Sequence, residues 1–330
     1  MNTASYVFSE GNELPVGTSL MQGHFTISGM IQSDRSGISY LAYDSAGTSV
    51  VIKECFPERF CKRNGQMVLA SSNSTRADFQ STQHLFQNEA RVLARLDHSN
   101  VIGIQHVFDA NGTSYMVLDY VEGQTLSELI TAGKQLSPRQ ITDILCDTLK
   151  TLTYVHEQGI LHGDISPDSI IVTAQMKPYI VGFGAARQLT PDNTLAAPIS
   201  RSVKDGYSPQ EFYIAGGKIG AYSDLYSLAA SFYQVISGSR PIGAQDRLKA
   251  VSRQKPDPYE ALTSITADYP NAFCAALDTA LAAFPRKRPQ TANEWLDAIV
   301  TERPKADLID FPFAHSHSPE GTGIYRSPAE

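Results

Sequence analysis

The chain has 330 residues, 42% of them hydrophobic, enough for one domain of ordinary size with a full core. A formal net charge of -7 argues against a general nucleic-acid or anionic-membrane surface, so neither is expected as a partner. The four cysteines, Cys55, Cys61, Cys146 and Cys274, have no zinc spacing and no framework pattern, and free thiols in a reducing cytoplasm are the expectation. The chain opens without a basic-then-apolar signal, and Asp224 and Asp278 interrupt the longest apolar runs before they reach the length of a membrane span.

Residues 1 to about 20 are polar and glycine-bearing and read as a flexible lead-in. From Phe25 to Val51 the pattern is one of strands, broken by a polar turn at residues 32–36. Asn64-Gly65 is a hairpin signal between β-rich segments. A helix is expected from about Ala77 to Leu96, with Phe86, Glu89 and Leu93 on one face. A carboxylate on an apolar face needs a partner, and Lys53, at the end of the apolar run Val50-Val51-Ile52, is the natural one. Asn111-Gly112 marks a turn before a strand over Ser114 to Tyr120. Thr125 and Glu128 form a capping-box pattern. Ser137-Pro138 starts a long helix carrying Ile141, Leu145, Leu149, Leu152 and Val155 and ending near Gly159. Short β segments follow, then a helical third with another capping-box pattern at Thr291 and Glu294. A β-rich first part before a helix-rich second part gives an α+β class. From Thr301 the chain is rich in proline, serine and charge and reads as a tail, with Leu308, Ile309, Phe311 and Phe313 close together in it.

Several short motifs recur in a fixed order: Val50-Val51-Ile52-Lys53-Glu54, then Glu89 in its helix, then Leu161-His162-Gly163-Asp164. Tyr179-Ile180-Val181-Gly182-Phe183-Gly184, Gly206-Tyr207-Ser208-Pro209-Gln210-Glu211, Ser223-Asp224 and Pro285-Arg286-Lys287-Arg288 complete the series. In order and spacing this resembles the eukaryotic-like (Hanks-type) Ser/Thr protein kinases of bacteria, over about residues 25 to 300. The resemblance implies a bilobal protein-kinase-like fold, α+β, with a β-rich N-lobe over about 21–120, a helical C-lobe over about 121–300, and residues 301–330 as a tail.

It also implies roles. Lys53 would hold nucleotide phosphates, Glu89 would orient it, and Asp164 stands at the catalytic-base position. Val51 would roof the adenine slot and Ile171 floor it, with Leu118 as gatekeeper and Asp119 to Val121 as hinge. Gly37 is the retained glycine of the phosphate-covering loop, whose other two glycine positions carry Gln32 and Asp34. The fold-holding charges are kept: a Glu211–Arg288 pair, Asp224 anchoring the catalytic loop, and His162 with Phe183 in the apolar stack between lobes.

Other positions depart from the pattern. Gly182 stands where the family has the aspartate that binds magnesium, and glycine has no ligating group. Ser169 replaces the asparagine of the second metal, with Asp168 and Asp34 as conceivable stand-ins. Ser166 replaces the lysine that steadies the transferred phosphate. Gly163 replaces the arginine that answers activation-loop phosphorylation. Lys204-Asp205 replaces a Thr-Pro pair, and Lys204 is placed to pair with Asp164.

The expectation is therefore a pseudokinase, acting as a regulatory or scaffolding module on a protein partner. No metal and no cofactor are expected, or ATP without magnesium. The alternative is a divergent ATP-dependent Ser/Thr kinase, or another nucleotidyl or phosphoryl transferase, using Lys53 and Asp164. A phosphorylation target, at Thr190, Ser318 or Ser327, each followed by proline, is a third reading.

Overall fold

A computed structural model describes residues 11–34, 37–189, 194–196 and 203–300; the tail with its apolar residues, and Thr190, Ser318 and Ser327, lie outside the described residues. The chain opens with strands β1 (Ser19–Leu20), β2 (Phe25–Ser33), β3 (Gly37–Asp44) and β4 (Ser49–Cys55). A hairpin of β5 (Cys61–Asn64) and β6 (Met67–Ala70) turns at the Asn64-Gly65 signal. Helix α1 (Arg76–Leu93) follows, then β7 (Ile104–Ala110) and β8 (Thr113–Asp119), which turn at Asn111-Gly112. The main sheet is antiparallel in the order β1-β2-β3-β4-β8-β7.

This sheet is buried on both faces at its centre, and side-chain alternation sorts its residues between two cores. Val50 and Ile52 of β4, with Tyr115 and Val117 of β8, join Ile27, Ile38 and Tyr40 in an N-lobe core. Met116 and Leu118 point the other way, into a core shared with Phe86, Ala90 and Leu93 of α1 and with the helices that follow. Lys53 and Glu54, adjacent in sequence, are thereby sent to opposite faces.

On the N-lobe face Glu54 is fully buried. The hydroxyls of Tyr40 and Tyr115 donate to its two carboxylate oxygens, at 2.9 and 2.7 Å, and the Arg63 guanidinium, from β5, pairs with it. Burial, then the Glu54 charge, pushes both tyrosines well above their ordinary range. The cluster also ties down the chain before β1. Arg63 donates to the carbonyl of Asn12, and the amide of Leu14 donates to the Tyr40 hydroxyl at 3.0 Å. Leu14 is 2% exposed. The loose lead-in read from the sequence therefore does not extend over residues 12–20; the partners that fix this stretch lie far along the chain.

The second part begins with β9 (Gln124–Thr125) and α2 (Leu126–Thr131), whose Thr125–Glu128 capping box is formed in both directions. Helix α3 (Pro138–Glu157) is capped by Ser137 and Gln140. Then come β10 (Ile160–Leu161), β11 (Ile170–Val172), β12 (Pro178–Ile180), β13 (Arg187–Gln188), β14 (Thr194–Ala196) and β15 (Lys218–Gly220). They pair as β12-β11-β9, β10-β13 and β14-β15. The rest is helical: α4 (Ala221–Ser237), α5 (Ala244–Ser252), α6 (Leu262–Ile265), α7 (Asn271–Ala280) and α8 (Ala292–Val300). The Thr291 signal is half used. Thr291 accepts from the amide of Glu294, but the Glu294 carboxylate accepts from Gln290 instead of closing the box. Helix α4 is buried on all sides through Tyr233, as expected of a central helix.

Two lobes, one a curled sheet with a single helix and one helical, meet along a continuous core. Among the described residues no helix is long and apolar enough to cross a membrane. All four cysteines are buried and free, and burial pushes Cys55 and Cys61 up to about 12.

Removing one partner of a buried ion pair costs about 3–5 kcal/mol. Glu54→Gln keeps the shape of the side chain but strands the Arg63 charge. It should lower the urea-unfolding free energy by roughly that amount, and a loss under about 1 kcal/mol would show that the cluster does not hold the N-lobe.

Candidate functional site

The cleft between the lobes is built on Lys53 of β4 and Glu89 of α1. The Lys53 ammonium donates to both carboxylate oxygens of Glu89, at 3.0 and 3.1 Å, and both side chains are buried. Burial works against the charged ammonium, but Glu89 and then Asp34 outweigh it and raise Lys53 above the ordinary lysine range. The partner inferred from helical spacing is thus the partner found. Val51 pairs with Leu118 across β4 and β8, and both pack on the shared core with half-buried Val121. Ile171 is half-buried on β11, and Asp119 is exposed at the end of β8.

A groove of about 880 Å³ opens beside the hinge, lined by Asp97, His98, Asp119, Glu122, Lys134 and Met176 among others. It takes in Asp119 and Val121 but not Lys53, Asp164, Ser169 or Gly182, so it is separate from the charged cleft.

The loop that would cover phosphates is differently committed. Asp34 accepts from the amide of Gly37 at 3.0 Å and returns its own amide to the Gly37 carbonyl at 2.9 Å. Gly37 opens β3 directly against β4, where an added Cβ would stand 2.0 Å from the Glu54 carbonyl oxygen. Strand packing alone therefore accounts for the glycine, and its amide is already used. Gln32 and Asp34 are exposed.

The loop after β10 is held by Asp224 at the start of α4. Its carboxylate is fully buried and accepts from the amides of His162 and Gly163, at 2.8 and 2.7 Å, and from Nε2 of His156, at 2.9 Å. Burial opposes the charge, but the His156 hydrogen bond and the other donors win and hold Asp224 below its ordinary range. His156, on the buried face of α3, was not singled out in the sequence; its signal is a polar residue in line with Leu152 and Val155. Burial keeps His162 low and neutral. The geometry agrees, since its Nε2 donates to the Val181 carbonyl at 3.0 Å while Nδ1 accepts from the Asp164 amide at 3.3 Å. The His162 ring lies 4.6 Å from the ring of fully buried Phe183, which packs in the shared core. Glu211 and Arg288 form the expected buried pair, at 2.7 Å.

The two positions assigned to metal ligands prove to be neighbours. A Cβ built on Gly182, which has φ +82°, would lie 3.9 Å from Cβ of Ser169 and meet nothing closer. The Ser169 hydroxyl is turned into its own loop. It donates to the Ser166 carbonyl at 2.8 Å and accepts from the Ser166 amide at 3.0 Å. Asp168 is exposed. The residues present do not fit a magnesium site: one position has no side chain and the other has a hydroxyl already bonded twice. Asp164 is accessible and pairs with Lys204, Nζ to Oδ2 3.1 Å, as the sequence suggested. The same ammonium donates to the hydroxyl of buried Ser166 at 2.9 Å, a contact that no local pattern announces.

Residues 58–305 match the family described as "Protein kinase domain". The serine/threonine-protein kinase PknA of Nostoc sp. is 34% identical over 229 residues, which is 67% of this chain and 39% of that protein. PknB of Mycobacterium leprae is 28% identical over 68% of this chain and 35% of its own. The chain thus spans well under half the length of these curated relatives. A solved structure, "PpkA-294 apo form", matches with a TM-score of 0.74 and 28% identity, over 87% of this chain and 99% of that one. The chain belongs to the protein kinase family, and its fold is the bilobal α+β kinase fold.

The low value of Asp224 has a pH signature. A depressed carboxylate contributes stability that is complete above the unfolded value, near 4, and is lost as pH falls through the lower folded value. Asp224→Asn, which leaves donors unmatched, should cost about 3 kcal/mol at pH 7. The gap between wild type and variant should narrow in urea melts run toward pH 3. A gap that stays constant would remove Asp224 as the anchor.

Proposed function

We propose that this chain is a pseudokinase, a kinase-fold regulatory module that works through contacts with a protein partner and does not carry out magnesium-assisted phosphoryl transfer. One observation carries the reading. The two side chains that should hold the metal, at 182 and 169, are respectively absent and bonded to the Ser166 backbone. Transfer of a phosphoryl group is almost wholly positioning and charge stabilisation, so the loss falls on the chemistry itself. What the residues still do is hold a shape. Lys53–Glu89 ties β4 to α1, Asp224 fixes the catalytic loop, and Phe183 with His162 packs the junction. With Gly163 in place of an arginine, no partner is evident at that position for a phosphate on the activation segment.

A second reading keeps one observation on its side. Lys53 is paired with Glu89, Asp164 is accessible in its loop, and the relatives are named as Ser/Thr kinases. A divergent transferase would need these residues to act without the two expected ligands.

Thermal melting with ATP, with and without magnesium, separates the readings. Wild type should show no magnesium-dependent rise. Gly182→Asp with Ser169→Asn restores the missing ligands, and this double variant should acquire one. The Asp side chain must accept φ +82°, so a melting point near wild type without ligand is the control. A magnesium-dependent rise in wild type that disappears in Lys53→Ala would overturn the proposal in favour of the enzyme.

A further inference from the structure

The groove beside the hinge lies apart from the charged cleft and is built from both lobes. Residues 96–103 and Asp119 line it from the N-lobe side, and α2 with the turn between β11 and β12 lines it from the other. Its floor is apolar: Leu96, Val101, Leu129 and Val172 are buried, and Val121 and Met176 are half-buried. Its rim is acidic, with Asp97, Asp119 and Glu122 exposed there against Lys134. Asp119 is set in place by neutral groups. Gln105 donates to its Oδ1 at 2.8 Å, and a Cβ added at Gly103 would collide with its Oδ2, so the glycine makes room for the carboxylate. No described residue forms an ion pair with Asp97, Asp119 or Glu122. A trough of about 880 Å³ with an apolar floor and an acidic rim suits an extended segment that carries basic and apolar side chains.

Such a segment follows α8 directly. Arg303 and Lys305 are succeeded by Leu308, Ile309, Phe311 and Phe313, with Asp307 and Asp310 set among them. The helix it leaves is tied to the groove wall. In the first turn of α8, Asn293 accepts from the Thr153 hydroxyl of α3 at 3.0 Å. The hydroxyl of the next residue, Tyr154, accepts from the Asp97 amide at 2.8 Å, and its ring lies 5.0 Å from that of His98. The path from Val300 back along α8 and through these contacts to Asp97 is on the order of 30 Å, and residues 301–311, fully extended, span about 36 Å.

We infer that residues 303–313 of this chain dock in the groove, Arg303 and Lys305 against the rim carboxylates and Leu308, Ile309 and Phe311 on the apolar floor. A segment arriving from α8 brings its basic pair to the Asp97 side first and carries Asp307 and Asp310 on toward Lys134. Seated there it is a strap across the back of the hinge that joins the two lobes. The inference does not depend on how the cleft treats magnesium, because the groove contains neither Lys53 nor Asp164.

The test is photo-crosslinking in the full-length chain, with a benzoylphenylalanine in place of Phe311 and, in a separate sample, of Ile309, mapped by mass spectrometry. Crosslinks should form within one chain, to Tyr120, Val121 and Met176. Asp97→Lys with Glu122→Lys reverses the rim charge and should remove most of them at an unchanged melting point; Glu122→Lys alone serves if the pair lowers that melting point. Adding Arg303→Glu and Lys305→Glu should restore the crosslinks, a recovery that apolar collapse of the segment would not give. Crosslinks that map elsewhere, that survive charge reversal, or that form from neither position would overturn the inference. Crosslinks between two chains, lost on dilution, would also overturn it and assign the groove to a second copy.

Discussion

The geometry of the cleft depends on one buried charge. Asp224 sits at the first turn of a helix surrounded by protein and is shielded from bulk solvent, so its charge depends on fixed donors. Two of them are consecutive loop amides and the third is a histidine from another helix. Consecutive amides can converge on one carboxylate only if the chain turns sharply, and Gly163, at φ +77°, allows that turn. The turn sets the direction in which Asp164 leaves the loop, and two residues later it places Ser166 beneath Lys204. A glycine where the family has arginine reads as a loss in sequence; in the structure it sits comfortably in a backbone conformation that the anchor demands.

Much of this was legible beforehand, and for physical reasons. Signals that act over three or four residues were read correctly: the Asn-Gly turns, the Thr125 and Ser137 caps, the helical face that puts Glu89 toward Lys53. The order of motifs located Glu211–Arg288 and Asp224. What remained hidden acts across long separations. The N-terminal strap depends on Asn12 meeting Arg63 and Leu14 meeting Tyr40, and polar composition alone suggested a loose segment. Glu54 was assigned no role in the sequence beside Lys53, although strand alternation sends the pair to opposite cores. Gly37 carries a second constraint that its motif did not announce. The resemblance made it the retained glycine of a phosphate-covering loop, and the close approach of β3 to β4 there requires a glycine in any case.

The side chains at positions 164, 169 and 182 obey a simple electrostatic constraint. In a metal-dependent cleft several carboxylates face one another, and their mutual repulsion is tolerable because cations lie between them. Removing the metal without removing the carboxylates would leave like charges in a poorly hydrated space. Here the carboxylate at 182 is gone and the side chain at 169 is a neutral hydroxyl turned into its own loop. Asp164 remains, and it has Lys204 at 3.1 Å. Lys53 remains, and it has Glu89 with Asp34 nearby.

The charges described in this cleft therefore close among themselves, two cations against carboxylates already in contact with them. That balance explains how the fold keeps an intact loop and an ordered Lys53–Glu89 pair with no metal ligand at either position. It also sets the condition for any ligand. An incoming polyanion meets ammonium groups whose present partners are carboxylates, and it can replace those partners only by offering more charge than one carboxylate does.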